Sequence, residues 1–576
     1  MKYTQIKPSI SSEIPVPSAG ILNTFLDSND KILKIVDING NLKFLMDTNL
    51  TPTLQKSTDA GNSTTDKITV GNVILNSTKL YTDNIAANVD LNTNATYRLP
   101  MQTPASYYPA GITKSSWELN ITVQQYDLTV HIDYHNVNNL VIDWGDGNSK
   151  TITGGYNVDH NYATAGNYVI KIHGSFNLGD NYISLSNLRS KLISTSAIKN
   201  ISGLNKITFS QCSALISIPA DLFKWLPNIT DFGWLFDSCT SLASLPDGLF
   251  DHNPNVVKFN YSFYNCTSLT TIPDDLFKYN TQVISFQNIF DSCTSLASLP
   301  DGLFDHNPNV VEFNSLFNGC SKITSIPNGF FDKNVNVTTF SYVFAGCHIT
   351  SIPDGLFDNN VDVIDFNYIF ADCHITSIPA GLFKNNANVI VFSNTFSGCT
   401  SLTTIPADLF KYNTKVTNFG SLFQSCTSLI SIPVNLFKYN VNVNSFSFTF
   451  YGCNSLISIP ADLFKYNSEI DEYGFLYTFY GCTSLRSIPS GLFKYNILIT
   501  NIWSTFQDCT SLTSIPADIF KYNTKVTSFS TAFYNCTGIT GPVPTLWLSF
   551  PNINGGACFG GDTSASNYAD IPASWK

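Results

Sequence analysis

The chain has 576 residues, with charged side chains at 13%, aromatics at 13% including 43 Phe, and a formal net charge of −11. The charge is about half the ~25% of an average globular chain, and an apolar content of 43% excludes a disordered polymer. Lys and Arg total 31 against 42 Asp and Glu, which leaves no basic footprint for phosphate neutralisation and excludes nucleic acid as an expected partner.

No apolar run of the length a secretory signal needs follows Met1-Lys2-Tyr3-Thr4-Gln5-Ile6-Lys7. No stretch approaches the ~18 uninterrupted apolar residues of a membrane helix. The expectation is a chain made in a cytoplasm without membrane insertion, leaving by a route other than ordinary secretion. Residues 1–115 are rich in Asn, Thr, Asp and Ser and lack a helical period. Asn39-Gly40 between Ile32–Val36 and Leu42–Leu45 predicts a β-hairpin. The stretch Leu54-Gln55-Lys56-Ser57-Thr58-Asp59-Ala60-Gly61-Asn62-Ser63-Thr64-Thr65-Asp66 resembles a segment that recurs in bacteriophage fibre proteins, where it precedes β-rich, commonly trimeric segments. The resemblance implies a β-rich attachment and oligomerisation stem, stabilised by association as a homotrimer.

Residues 116–176 alternate apolar and polar positions around Asp143-Trp144-Gly145-Asp146-Gly147, the pattern of an antiparallel sandwich. With His160, Tyr162, Gly166 and Tyr168, this segment resembles the PKD-type immunoglobulin-like domains, which implies a spacer or carbohydrate-associated module. His131, Asp133 and His135 share one strand face. Nothing completes a coordination shell around them, so they are expected to be an exposed face. Residues 177–211 are expected to form the N-terminal cap and first coil of a repeat array that occupies the rest of the chain.

From Cys212 onward the cysteines keep time. They stand at Cys212, Cys239, Cys266, Cys293, Cys320, Cys347, Cys373, Cys399, Cys426, Cys453, Cys482, Cys509 and Cys536, with Cys558 after them, and most intervals are 27 residues. Disulfide frameworks and zinc sites use close pairs, which this ladder lacks. A 27-residue period belongs to leucine-rich-repeat solenoids. In the coil that begins at Cys509, the positions Leu512, Ile515, Ile519, Phe520, Val526, Phe529 and Phe533 should point inward and stack on their copies. Pro516 should open a short helical turn that Asn523 closes. The i, i+4, i+7 spacing of Phe529, Phe533 and Cys536 predicts a second helical turn. The Leu512 and Val526 segments should be the extended pieces that pair between coils. At a strand spacing of about 4.8 Å the array is expected to be a rod of roughly 60 Å. The thiols are expected to be free and buried.

The 26-residue coils begin Cys347-His348-Ile349 and Cys373-His374-Ile375. Alternation places each histidine in solvent and each cysteine inside, which argues against a metal site. Glu469, Asp471 and Glu472 lengthen one coil as a surface excursion. Cys239–Val257 and Cys293–Val311 are identical, the mark of recent duplication. The F-x-x-C-x-x-L-x-x-I-P rule over 212–536 resembles the BspA-like and mycoplasma-type surface leucine-rich repeats, which implies adhesion or display and carries over no catalytic residue. Residues 537–576 break the rule and are expected to cap the last open core.

The fold class expected is therefore mainly β with short helical turns: a stem, an immunoglobulin-like sandwich and a solenoid. The function expected is a bacteriophage virion fibre or appendage, made in the host cytoplasm and displayed on the particle. It would join tail or capsid proteins and touch a host-surface glycan or protein through the array. The exposed ladder at Thr513 and Ser514 is the candidate contact. Two alternatives stand beside it: a structural head fibre or capsid decoration without receptor binding, and a BspA-like bacterial adhesin. No enzyme is expected and no cofactor, since the recurring Asp221, Asp247, Asp301, Asp354, Asp408, Asp462 and Asp518 are explained by capping a turn in each coil, not by a pair of acids held in a groove.

Overall fold

The computed structural model describes residues 116–576 and, ahead of them, seven short strands. The chain divides into two units, 1–105 and 106–576. In the first, β1 (Pro8–Ser9), β2 (Asn23–Asp27), β3 (Ile32–Val36) and β4 (Leu42–Asp47) form one sheet in that order, and β5 (Leu54–Lys56), β6 (Lys67–Val70) and β7 (Val73–Asn76) form another. The predicted hairpin strands are β3 and β4, paired antiparallel with Ile35 opposite Phe44. The Asn39-Gly40 turn, and residues 57–66 of the fibre-like stretch, lie outside the described residues.

The second unit starts with two sheets. Strands β8 (Trp117–Val123), β10 (Val137–Asp143), β11 (Ser149–Ile152), β13 (Gly166–Phe176) and β15 (Leu192–Thr195) make one, in the order β11-β10-β13-β8-β15, with β16 (Ile201–Ser202) on the end of β13. Strands β9 (Thr129–His135), β12 (Asn157–Asn161), β14 (Tyr182–Ser184) and β17 (Ile207–Thr208) make the other, in the order β12-β9-β14-β17. Alternate residues of β8 (Trp117, Leu119, Ile121, Val123) and of β9 (Val130, Ile132, Tyr134) are buried in a shared core, as a period of two requires. Both sheets run past residue 176, where the sequence pattern ends the sandwich. Strands β14 to β17 belong to the sheets, because the start of the array needs a preformed edge to pair with. That edge is parallel: β17 lies parallel to β14, Ser194 bridges Ser217, and Lys206 bridges Asp231. The column then continues Asp231, Lys258, Ser285, Glu312, Thr339, Asp365, Val391, Asn418 and Ser445, each a parallel bridge to the next. Trp117 meets Phe209 edge-on at 6.1 Å, and Phe209 stacks on Phe236 at 5.2 Å, so the sandwich and the array share one hydrophobic core.

Each coil of the array buries the expected Cys, Leu, Ile, Phe and Val positions. The extended pieces after Leu512 and Val526 do pair with the neighbouring coil, through Thr513 N–H to Arg486 O at 3.1 Å and Thr527 N–H to Thr500 O at 2.8 Å. The helical turns are not there. Between Phe419 and Cys426, alternate N–H groups point forward to the next coil, from Phe419 to Ser445 O, Ser421 to Ser447 O, Phe423 to Thr449 O and Ser425 to Tyr451 O, at 2.6–3.1 Å. The N–H groups of Leu422, Gln424 and Cys426 close four-residue turns on Phe419, Ser421 and Phe423. Ser421 and Ser425 have φ of 56° and 57°, and this left-handed step breaks the helical path. A positive φ recurs five residues and one residue before the cysteine in coil after coil, as at Tyr261 and Asn265 or Thr531 and Asn535. A run of Phe, Phe and Cys at helical spacing thus faces inward from a staircase of turns. The first coil segment likewise consists of four-residue turns, such as those closed by Ile519 N–H to Pro516 O and Asn523 N–H to Phe520 O.

Two side chains tie the coils together. The Asn413 amide, fully buried, donates to Phe383 O at 3.0 Å and Asn386 O at 2.8 Å, both in the preceding coil. The same pair of bonds recurs from Asn253 to Asn523. Each ladder cysteine donates its thiol to a carbonyl of the preceding coil, as from Cys426 to Phe396 O at 3.1 Å. The asparagine therefore does more than close its own turn. Replacing Asn413 with Ala removes two buried bonds at about 0.5–1.5 kcal/mol each, so chemical denaturation of the full chain should show a loss of roughly 1–3 kcal/mol. Asn359→Ala, at an exposed position, should stay within about 0.5 kcal/mol of the parent.

Candidate binding surface

Because the interior of each coil is occupied by repeating apolar, Cys and Asn side chains, chemistry that differs between coils sits on the exposed positions. Three rows matter. The first follows the inward Leu: Thr513 and Ser514 are exposed, as are their counterparts Thr403 and Thr404, Ile430 and Ser431, Ile457 and Ser458, and Arg486 and Ser487. Thr513 Oγ1 donates to Arg486 O at 3.1 Å, so part of its hydrogen-bonding capacity is spent within the array. The row is uniform in Ser or Thr only at its second position.

The second row comes from the left-handed step five residues before the cysteine, where the backbone turns the side chain outward. Trp234 stacks on Tyr261 at 4.1 Å, Tyr342 on Tyr368 at 4.3 Å and Phe448 on Tyr477 at 4.8 Å. Their φ values lie between 54° and 62°, a region bulky residues rarely occupy. Contact with the copy in the next coil offsets that strain, since aromatic pairs contribute about 0.5–1.5 kcal/mol beyond their burial. Sequence spacing alone missed this row, although an aromatic recurring five residues before a cysteine is the signal that marks it.

The third row is the Lys-Tyr pair of the Phe-Lys-Tyr-Asn turn. It occupies five consecutive coils, at Lys411-Tyr412, Lys438-Tyr439, Lys465-Tyr466, Lys494-Tyr495 and Lys521-Tyr522, with the tyrosines 37–51% exposed. Lys438 Nζ lies 5.4 Å from the Tyr439 ring centre and 5.9 Å from that of Tyr466. Lys465 spans Tyr466 and Tyr495 at 5.6 and 6.0 Å, and Lys494 spans Tyr495 and Tyr522 at 5.3 and 5.6 Å. Ammonium and phenol groups thus alternate along the array, each contact contributing about 0.5–1 kcal/mol at exposed sites. Lys411 and Lys465 also pair with Asp408 and Asp462 at 3.4 and 3.3 Å, which raises the ammonium pKa of both. Lys438, Lys494 and Lys521 have no ion pair among the described residues. Among the turn aspartates, Asp408 and Asp462 do not cap but accept from the lysine three residues on, as does Asp275, and Asp518 accepts from Ser490 Oγ at 2.7 Å. The extra residues of the long coil, Glu469 and Asp471, are exposed and line a shallow open depression with Asn442 and Asn444.

The other singled-out residues are engaged elsewhere. His348 and His374 are exposed and stack on each other at 4.3 Å, while Cys347 and Cys373 are buried. His131 Nε2 lies 2.8 Å from Asp133, its Nδ1 contacts Asp159, and Asp133 accepts from Asn187 at 2.7 Å. Burial works against the charge on His131, but the two carboxylates outweigh it and raise the pKa. His135 packs between Tyr156 and Tyr182. In the sandwich, Asp146 meets His160 at 2.8 Å, His160 stacks on Trp144 at 4.7 Å, and Tyr162 donates to Trp144 O at 2.8 Å. Gly145 is required there: its φ is 79°, and a Cβ would stand 2.5 Å from Val169 O.

The thiols are all free and buried, and burial pushes each of them far above the usual thiol range, beginning with Cys212. An aqueous thiol reagent at pH 8 should therefore leave the native chain unmodified and titrate all fourteen cysteines once denaturant is added. A second buried group lies in the cap. Phe559 stacks on Phe533 at 5.8 Å, and Trp575 closes over Phe559 and Phe529. Asp562 is fully buried with no hydrogen bond of ordinary geometry to either carboxyl oxygen, and burial, opposed only by the backbone N–H of Cys536, pushes its pKa up to about 8. The unfolded value is about 3.9, so the folded state favours the proton. Its contribution is complete below about pH 4, declines by about 1.4 kcal/mol per pH unit toward pH 8, and is constant above that. Thermal melts should show Asp562→Asn flattening that decline, with the variant more stable than the parent at pH 9 and the advantage gone at pH 4.

Comparison with known proteins agrees on the repeat. A family profile described as "Mycoplasma protein of unknown function, DUF285" matches residues 204–330, 257–381 and 338–462, overlapping windows of one tandem register. No curated protein matches the chain. Among solved structures, a plant peptide hormone receptor, RGFR1 in complex with RGF2, is similar at 12% identity over 65% of this chain and 70% of its own, with a TM-score of 0.28. The leucine-rich-repeat ectodomain of the Arabidopsis thaliana receptor kinase GASSHO1/SCHENGEN3 is similar at 15% identity over 64% and 55%, with a TM-score of 0.22. At such scores these likenesses say nothing about ligands. Coil geometry and the family profile together make residues 212–536 a leucine-rich-repeat array.

Proposed function

We propose that the chain is a surface-attachment protein of bacteriophage-fibre type, whose N-terminal stem joins it to a particle as a trimer and whose array meets the host. The observation that carries the reading is the division of labour within each coil. Cys, Asn, Phe and Leu repeat inside, while a half-exposed turn position is rewritten from Asp251 to Lys278, Asp305, Asp358 and Lys411. A part that supplied only reach and bulk would need no such variation. The fibre-like stretch from Leu54 to Asp66 supports the virion setting, and the PKD-like cluster of Trp144, Asp146, His160 and Tyr162 supports a spacer between stem and array. Tail or capsid proteins would hold the stem, and a host glycan or protein would be the receptor. A second reading, a cell-surface adhesin of the BspA type, is favoured by the mycoplasma family profile.

The test combines three measurements on the full chain. Sedimentation should give three times the 63.5 kDa chain mass, immunogold labelling should decorate intact particles, and labelled protein should adsorb to cells those particles infect. A monomer found on no particle removes the fibre reading. A trimer on particles that does not adsorb to those cells removes receptor binding and leaves a structural decoration.

A further inference from the structure

The turn that carries the Lys-Tyr row goes from mixed sign to one sign along the array. At the lysine position the first six coils place Lys224, Asp251, Lys278, Asp305, Asp332 and Asp358, whereas every coil from Lys384 to Lys521 places lysine. A chain of net charge −11 has therefore gathered lysine on six consecutive coils, where Lys384, Lys411 and Lys465 pair with Asp358, Asp408 and Asp462 and Lys438, Lys494 and Lys521 have no ion pair among the described residues. Tyrosine stands beside the lysine in the last five of these, with Lys438, Lys465 and Lys494 each lying over the rings of its own coil and the next. Coils advance by about 4.8 Å, the strand spacing, and a pyranose ring in an extended polysaccharide covers a closely similar length.

We propose that this edge binds a linear acidic polysaccharide laid along the array, its carboxylates or sulfates over successive lysines and its hydroxyls against the tyrosine phenols. A single exposed ion pair is weak, and no enclosed pocket is needed. Repeated contacts in register with a polymer make each later contact intramolecular, so the whole gains what no coil has alone; Lys438, Lys494 and Lys521 offer theirs free of a carboxylate, and at Lys411 and Lys465 the polymer competes with Asp408 and Asp462. In the earlier coils Asp251, Asp305 and Asp332 interrupt Lys224 and Lys278, so no run of lysines extends there and the polymer is held to the C-terminal half. This rests on the attachment reading above and gives it a ligand class.

The test uses the full chain with polygalacturonate, its fully methyl-esterified form and dextran sulfate, read by co-sedimentation. Binding should occur to the two anionic polymers, be absent for the ester, and weaken steeply above about 0.15 M salt. The triple variant Lys438→Gln/Lys465→Gln/Lys494→Gln should lose about tenfold or more in affinity with an unchanged circular dichroism spectrum, and the corresponding triple Arg variant should retain binding. Equal binding to the ester, no binding to either anionic polymer, or full binding by the Gln variant overturns the proposal. So does low-salt self-association that the Gln variant abolishes without any polymer binding, which would give the ladder to the acidic coils of a second copy. If the Gln variant still adsorbs to cells as the parent does, the ladder proposal fails and attachment stands. If the parent itself does not adsorb, attachment fails.

Discussion

A coil of this array cannot satisfy its own backbone. It contains no helix and only single-residue bridges, and its turns pair some of its N–H groups internally, so the N–H and C=O groups that those turns leave over need a partner in the coil before or after. Forward N–H bonds from the staircase, the asparagine amide and the cysteine thiol supply that partner at every step. Buried polar groups left unpaired cost about 1–3 kcal/mol each, and that penalty fixes the register between coils more strictly than phenylalanine stacking, which tolerates sliding. The array is thus held by directional bonds inside an apolar column.

The same requirement explains both ends. A first coil needs a parallel edge already in place, and strands β14 to β17 provide it as part of the sandwich. Trp117 seals the beginning of the phenylalanine column through Phe209. At the far end Phe559 and Trp575 close the last rings, and the carboxyl of Asp562 is kept neutral by burial. Stability in a one-dimensional stack depends on such end coils as much as on any internal one.

What the sequence made legible was periodic. The cysteine ladder, the inward apolar positions and the two extended pieces follow from spacing, because each repeats at one place per coil. The helical turns did not follow. Phe529, Phe533 and Cys536 have helical spacing, yet the residues between them include a left-handed Thr531, and side-chain identity does not announce that conformation when Tyr, Trp or Ser fills the position elsewhere. Asn523 and the cysteines were readable as buried or turn-closing, but their donation to the preceding coil is a relation between residues 27 to 30 apart, invisible within one repeat. The end of the sandwich was misplaced for the same reason: β14 to β17 are only two to four residues long and are strands because of what they pair with. The rows of the surface were legible as composition, while the Lys-over-Tyr geometry required coordinates.

An interior that repeats so strictly frees the exterior. The Lys or Asp of the turn packs against nothing in the column, so exchanging one for the other leaves the asparagine and cysteine bonds untouched. Duplication then copies surface chemistry in whole coils: the identical stretches Cys239–Val257 and Cys293–Val311 carry Asp251-His252 and Asp305-His306 at equivalent places. Such copying spreads one surface residue to several coils, and where consecutive coils share it, as from Lys384 to Lys521, a ligand that is itself a regular polymer can follow the edge. The spacing that satisfies the buried backbone is in this way also the ruler that the surface presents.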